Sequence, residues 1–235
     1  MTTVELNVLS RDLDNAVDIT AAAPGRVYCG VLMKDHPDTD SGAAAVREHL
    51  AAGVRVSVGL GDGDPTMWRR VAEVTALTSP PHANQVFPAA GYTLGRIEQV
   101  GATTLVNALV GPGSRPGLVR IGTGPESSDA ECEVPAEFAA VLLAEIGVPS
   151  VKFFPIKGTQ KLDHLEAMVR AATANGIEMF EPTGGIEPAH VPQIVDVCLS
   201  NGATHVVPHV YSSIVDKQTG LTDPGQVAAI IEAIG

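Results

Sequence analysis

Five times along this chain a helical segment stops at a glycine and passes at once into a β-prone run: AAGVRVSV at Gly53, QVGATTLV at Gly101, EIGVPSVKFF at Gly147, NGIEMF at Gly176 and NGATHVV at Gly202. Glycine at such a junction takes the left-handed backbone that ends a helix, with no Cβ to resist it. A chain that keeps turning helix into strand is assembling βα units, and strands linked by helices run parallel. The junctions are spaced 48, 46, 29 and 26 residues apart, so the two longer intervals read as double units, each hiding one further junction.

Filling those intervals gives eight apolar strand candidates, at residues 27–33, 54–60, 84–87, 104–110, 118–122, 151–155, 178–181 and 206–211. Between the later ones the apolar positions follow a helical period: Leu162, Leu165, Met168, Val169 and Ala172 share one face, as do Val191, Ile194, Val195 and Cys198. The stretch GPGSRPG at 111–117 has no such period, so one crossover helix is expected to be short or missing. Eight parallel units in 235 residues fit a single α/β domain spanning 1–235, a (β/α)8 TIM barrel, better than an open doubly wound sheet. No GxGxxG turn follows the first strand candidate.

Charge and cysteine content exclude several classes of function. Fifteen Lys and Arg against 27 Asp and Glu leave a net charge of −12 with no basic run, which argues against a nucleic-acid partner. Cys29, Cys132 and Cys198 are odd in number and widely spaced, a pattern of reduced thiols rather than of disulfides or a metal site. Neither a signal-type segment nor a run of ~18 apolar residues occurs, so the expectation is a cytoplasmic protein with no membrane contact.

In a TIM barrel the chemistry sits where the strands end. Strand two runs into Asp62 and Asp64, strand three carries Asn84 and Gln85, strand four Asn107, strand six Lys152, strand seven Glu181 and Thr183, and strand eight His209, Tyr211, Ser212 and Ser213. Alternation pairs Lys152 with Phe154 and opposes both to Val151 and Phe153. An ammonium facing the helices would be stranded in an apolar seam, so Lys152 points into the barrel. Apolar neighbours there lower its pKa, and a neutral amine is the nucleophile that attacks a ketone to form a Schiff base. The alternative is a structural ion pair with Glu181 on the next strand. Glu181, beside that amine, is in turn a candidate proton shuttle. The Thr183-Gly184-Gly185 turn is either a plain strand-to-helix connection or a backbone cradle for an anion. His205 and His209 share a face but lie about 13 Å apart, too far to share a zinc ion. Asp62 and Asp64 could meet a hard cation, though a DGD turn is more often solvated loop, and no metal is expected.

VKFFP at 151–155 followed by EPTGGI at 181–186 resembles the class I 2-keto-3-deoxy-6-phosphogluconate aldolases. Beyond those motifs, SVGLGDGDP (57–65), NQVFPAAGYT (84–93), VNALVGPG (106–113) and PHVYSSIVDKQTG (208–220) are similar to a separate aldolase family linked to bacterial glucosaminate breakdown, over nearly the whole chain. The resemblance implies that Lys152 forms the imine and Thr183 holds the pyruvyl carboxylate, in a homo-oligomer that needs no cofactor. It does not carry over an acid/base: the better-known aldolases have a glutamate and an arginine on strand two, where this chain has no glutamate and places Arg55 at the strand's start. Glu181 is the first candidate, then Asp62 or Asp64.

The expected activity is therefore cleavage of a 2-keto-3-deoxy sugar-acid 6-phosphate to pyruvate and glyceraldehyde 3-phosphate. Barrel geometry places the phosphate at Gly184, Gly185, Ser212 and Ser213, with Lys157 or Lys217 as charge partner. Two rivals stand beside it: a metal-dependent aldolase or epimerase using Asp62, Asp64 and Glu181, and a non-catalytic barrel that binds a sugar phosphate.

Overall fold

Period-two alternation begins in the first residues. Val4, Leu6 and Val8 pack in the main apolar core, while Asn7, on the opposite face, hydrogen-bonds into the barrel interior. The computed structural model describes residues 2–122 and 124–235. Its elements are β1 (Thr3–Val4), β2 (Leu6–Leu9), α1 (Leu13–Ala22), β3 (Val27–Leu32), α2 (Thr39–Ala51), β4 (Val56–Gly59), α3 (Trp68–Thr78), β5 (His82–Val86), α4 (Phe87–Gln99) and β6 (Leu105–Pro112). There follow β7 (Leu118–Arg120), α5 (Pro125–Asp129), β8 (Glu133–Pro135), α6 (Ala136–Ile146), β9 (Ser150–Phe153), α7 (Leu162–Ala174), β10 (Met179–Pro182), α8 (Val191–Ser200), β11 (His205–Val206) and α9 (Pro224–Ala233).

The main sheet is parallel throughout, in the order β1-β11-β10-β9-β6-β5-β4-β3-β2. Because β1 and β2 are one strand interrupted at Glu5, pairing with β11 on one side and β3 on the other closes the sheet into an eight-stranded barrel. Every crossover between neighbouring barrel strands carries a helix.

Two expectations about individual strands are corrected. The first barrel strand is Thr3–Leu9, ahead of any candidate taken from the sequence. Residues 118–122 are not a barrel strand: β7 runs antiparallel to β6, with Gly111 opposite Arg120, and β8 adds to its other side. No helix joins β6 to β7, but this antiparallel connection is not a barrel crossover, so the expected short or missing crossover helix is corrected as well. The segment is a hairpin tip, and the barrel crossover is completed by α6. Gly113 is required there, since a Cβ would lie 2.7 Å from the Leu118 carbonyl oxygen.

The glycine junctions hold their predicted conformation, with φ of 82°, 66°, 81°, 79° and 99° at Gly53, Gly101, Gly147, Gly176 and Gly202. The junction hidden between Gly53 and Gly101 is Ser79, which takes the left-handed position (φ 48°) at the end of α3.

Between sheet and helices lies one continuous apolar core that includes Val56, Val106, Val151, Phe153, Phe180 and Val206. Each such side chain contributes about 1.5–3 kcal/mol on burial. The barrel interior differs. Tyr28, Met179 and Val207 fill its lower part, and above them Asn7, Ser57, His82, Asn107, Ser150, Glu181 and His209 are all buried. At the N-terminal end Glu5 bridges Arg55 and His205, and the Arg55 guanidinium stacks 4.1 Å from the Tyr28 ring. Arg55 is thus a structural cation at the end of the barrel away from the pocket.

Candidate active site

A buried polar layer is tolerated only where every donor and acceptor finds a partner, and this one meets that demand around Glu181. Its Oε1 accepts from His82 Nε2 (3.0 Å) and Ser150 Oγ (2.6 Å), and its Oε2 from Asn107 Nδ2 (2.7 Å) and His209 Nε2 (2.8 Å). Burial would raise the carboxyl's pKa, but the two histidines outweigh it and hold the group well below the ordinary carboxylate range. Glu181 is therefore an ionised carboxylate with four donors on its two oxygens, enclosed beneath the pocket.

From that anion the proton positions of the layer follow by counting. Asn107 gives its amide hydrogens to Glu181 and to Asn84 Oδ1 (2.9 Å), while its own oxygen accepts the Gln85 N–H. Asn84 turns its Nδ2 to Ser57 Oγ (2.7 Å) and the Val58 carbonyl (3.2 Å). Ser57 also accepts from Asn7 Nδ2, so both its lone pairs are filled and its proton goes to His82 Nδ1 at 2.8 Å. Both histidines then donate through Nε2 to Glu181.

Lys152 stands on this layer and faces a cavity of about 570 Å3 at the C-terminal mouth. The register of β9 and β10 sets Lys152 beside Glu181, yet the amine donates to Asn84 Oδ1 at 3.0 Å. Among the described residues Lys152 forms no ion pair. Burial lowers its pKa from 10.5 to about 8, with the Glu181 charge opposing. Leu9, Leu32, Leu60, Leu109, Phe154 and Ile186 make the cavity wall mostly apolar, which keeps water from restoring the ammonium.

The structure brings some of the expected residues together and separates others. Lys152, Asp62, Thr183, Gly184, Gly185 and Ser212 line the cavity, as does Lys217. Glu181 and Asn107 lie under its floor. Ser213 donates to the Ile186 carbonyl at 2.7 Å and ties two loops together. Thr183 Oγ1 reaches the Glu181 carbonyl at 3.2 Å. Gly184 and Gly185 have φ of 105° and 66°; the Thr183–His209 bridge turns the Gly184 N–H toward the His209 carbonyl, while the Gly185 N–H meets no acceptor among the described residues. Asp62 pairs with Lys34 at 2.6 Å at the rim, and Asp64 accepts from Thr66; among the described residues neither is hydrogen-bonded to Lys152. Among the described residues no group of three or more His, Cys, Asp or Glu is arranged to hold a metal ion.

Sequence reasoning missed His82, Asn7, Ser57 and Ser150, and gave His209 no role. Their signal was the same alternation that exposed Lys152: His82-x-Asn84 and Ser150-x-Lys152 put polar groups two apart on one strand face.

A closed parallel barrel with a poised lysine on its pocket floor belongs among the (β/α)8 enzymes. The fold comparison agrees. The chain matches a phosphoribosyl anthranilate isomerase structure with TM-score 0.58 at 13% identity, covering 99% of this chain and 98% of that one. It also matches a tryptophan synthase alpha-subunit from Pyrococcus furiosus with TM-score 0.59 at 13% identity, covering 100% and 98%. The family model for KDGP aldolase matches residues 1–218, and a Salmonella typhimurium protein named 2-dehydro-3-deoxy-phosphogluconate aldolase is 38% identical over 233 residues, 98% of this chain and 94% of that protein. The chain belongs to the KDGP aldolase family: it is an aldolase, a lyase acting on a small phosphorylated molecule. That sets aside the non-catalytic alternative.

Among the described residues no helix is long and apolar enough to cross a membrane.

Proposed function

We propose that this aldolase works through a Schiff base on Lys152 and cleaves a 2-keto-3-deoxy sugar-acid 6-phosphate to pyruvate and glyceraldehyde 3-phosphate. The observation that carries the reading is the lysine's partner: a buried amine on a neutral amide, its pKa lowered to about 8, is held in reach of the uncharged form that attacks a carbonyl. A structural ion pair with Glu181 would have done the reverse. The substrate follows from the name of the Salmonella typhimurium relative. A net charge of −12 works against any anion, so the acid and phosphate ends need local donors. The open N–H group of Gly185, with Thr183, Ser212 and Lys217 on the same wall, supplies them.

In this scheme Lys152 attacks C2 and water leaves, giving an iminium that accepts the electron pair of the breaking C3–C4 bond. Incubation with pyruvate and borohydride, followed by intact-mass and peptide analysis, tests it. One reduced pyruvyl group on Lys152 and none on Lys157 is the expected result. Labelling at Lys157, or none at all, rejects the assignment.

A further inference from the structure

Beside the lysine, the pocket carries a second line of reactive groups. His209 and Tyr211 both line the cavity, with Tyr211 Oη 2.9 Å from His209 Nδ1 and His209 Nε2 2.8 Å from Glu181 Oε2. Glu181, ionised, can only accept, so His209 holds its proton on Nε2 and presents the bare Nδ1 to the tyrosine hydroxyl. Asn7 Oδ1 is the hydroxyl's other neighbour at a longer 3.4 Å. Hydroxyl, imidazole and buried carboxylate in that order form a relay in which the ring takes a proton and the carboxylate steadies the resulting cation. Glu181, with four donors in place, is not free to do this itself, and Asp62 is paired with Lys34 at the exposed rim.

Resting on the imine reading above, we propose that Tyr211 and His209 are the acid–base pair of the cleavage step, with Glu181 positioning the imidazole. The C4 hydroxyl gives its proton to the Tyr211 oxygen as Tyr211 gives its own to His209 Nδ1. The oxygen left on C4 becomes the aldehyde carbonyl. The C3–C4 pair becomes the C2=C3 bond, and the C2=N π pair moves onto the Lys152 nitrogen. One positive charge leaves the iminium nitrogen and one appears on the imidazole, so the net charge of the site is unchanged. The enamine carbon C3 then takes the proton back along the same path, and water releases pyruvate from the lysine.

The electrostatics favour this order of events. His209 is lowered to about 3, by burial first and then by the charge on Lys152, with Glu181 opposing. Converting the iminium to a neutral enamine removes the second of those causes. The ring therefore becomes more basic as the C3–C4 bond breaks, and returns to its resting state when C3 is protonated.

The experiment compares wild type with Tyr211→Phe and His209→Gln, the second keeping a donor to Glu181 that cannot take up a proton. Three quantities are read: cleavage kinetics, deuterium exchange into the pyruvate methyl group, and borohydride trapping of pyruvate on Lys152. The expected result is kcat lower by about 10²–10⁴-fold with KM within about threefold, exchange falling in step, and trapping within about threefold of wild type. Trapping that falls along with cleavage in both variants shows a structural role and overturns the relay. So does a loss of kcat below about tenfold in both. Wild type that traps no pyruvate overturns the imine and the relay together, whereas wild-type trapping with active variants overturns the relay alone.

Discussion

Lys152 Nζ and Asn107 Nδ2 meet on the same atom, Asn84 Oδ1, at 3.0 and 2.9 Å, so two amides stand between the amine and Glu181. A neutral amide oxygen favours the ammonium far less than a carboxylate in contact would. Interposing Asn84 and Asn107 lets burial decide the protonation state of the lysine.

The first prediction is the pH dependence of imine formation. With Lys152 at about 8, roughly a tenth of the amine is neutral at pH 7, against well under a thousandth for an ordinary lysine. The second-order rate of pyruvate trapping should rise about tenfold per pH unit from 6 to 7.5 and level off above 8.5. A rate still climbing at pH 10 would show a lysine whose pKa is not lowered. Asn84→Asp should move the levelling-off point upward, because it puts a charge where the amide was.

Stability should run opposite to activity at the same residue. The folded-state pKa of Lys152 is below its unfolded value, so below pH 8 both states are protonated and the folded state bears the full penalty. Between pH 8 and 10.5 the unfolded chain binds more protons than the folded one, and the penalty fades as pH rises. Lys152→Met should therefore raise stability at pH 7 by about 1–3 kcal/mol, with the gain shrinking toward pH 10.5 in denaturant titrations. A destabilised variant at pH 7 would mean that the amine contributes packing or a hydrogen bond larger than its burial penalty.

How far the sequence could be read follows the kind of signal each element left. Junction glycines and period-two alternation are local, so most barrel strands and the inward direction of Lys152 were visible. Thr3–Leu9 was passed over because its alternation, Val4, Leu6 and Val8 against Glu5 and Asn7, is short and has no glycine junction before it. Residues 118–122 passed as a barrel strand because a hairpin strand and a buried parallel strand of three residues look alike in composition. The polar layer was out of reach for another reason. Asn7, Ser57, His82, Asn107, Ser150, Glu181 and His209 come from seven strand regions, and only barrel closure brings them together.

Glu181 should matter to the fold as much as to the site. Its folded-state pKa lies well below the unfolded value, so it stabilises the protein fully above the ordinary glutamate pKa of about 4.5, and that stability is lost as pH falls through the folded value. Glutamine cannot replace it cleanly, because an NH2 placed on either side would face two existing donors: His82 and Ser150, or Asn107 and His209. Glu181→Gln should cost about 2–4 kcal/mol at pH 7, lowering Tm by about 5–15 °C, and the gap to wild type should narrow in melts below pH 4.5. Equal melting at pH 7 would mean that the carboxylate is not the centre of the layer.

The phosphate end offers the last test, and the choice of substitution matters there. Gly185→Val is a poor probe: φ is 66°, and a Cβ would sit 3.1 Å from the Gly158 nitrogen, so the loop would deform whatever the glycine binds. Ser212 and Lys217 line the same wall without those constraints. Lys217 lies on an exposed part of the rim, where salt weakens its pull on a phosphate. Lys217→Ala should raise KM for the phosphorylated substrate about tenfold at low ionic strength, and by about threefold at 0.5 M salt. Ser212→Ala should raise it by about three- to tenfold with little dependence on salt. Both variants should trap pyruvate on Lys152 at the wild-type rate, since pyruvate has no phosphate to place. The phosphate lies elsewhere if KM is unchanged in both, or if wild type cleaves phosphorylated and unphosphorylated substrates equally well.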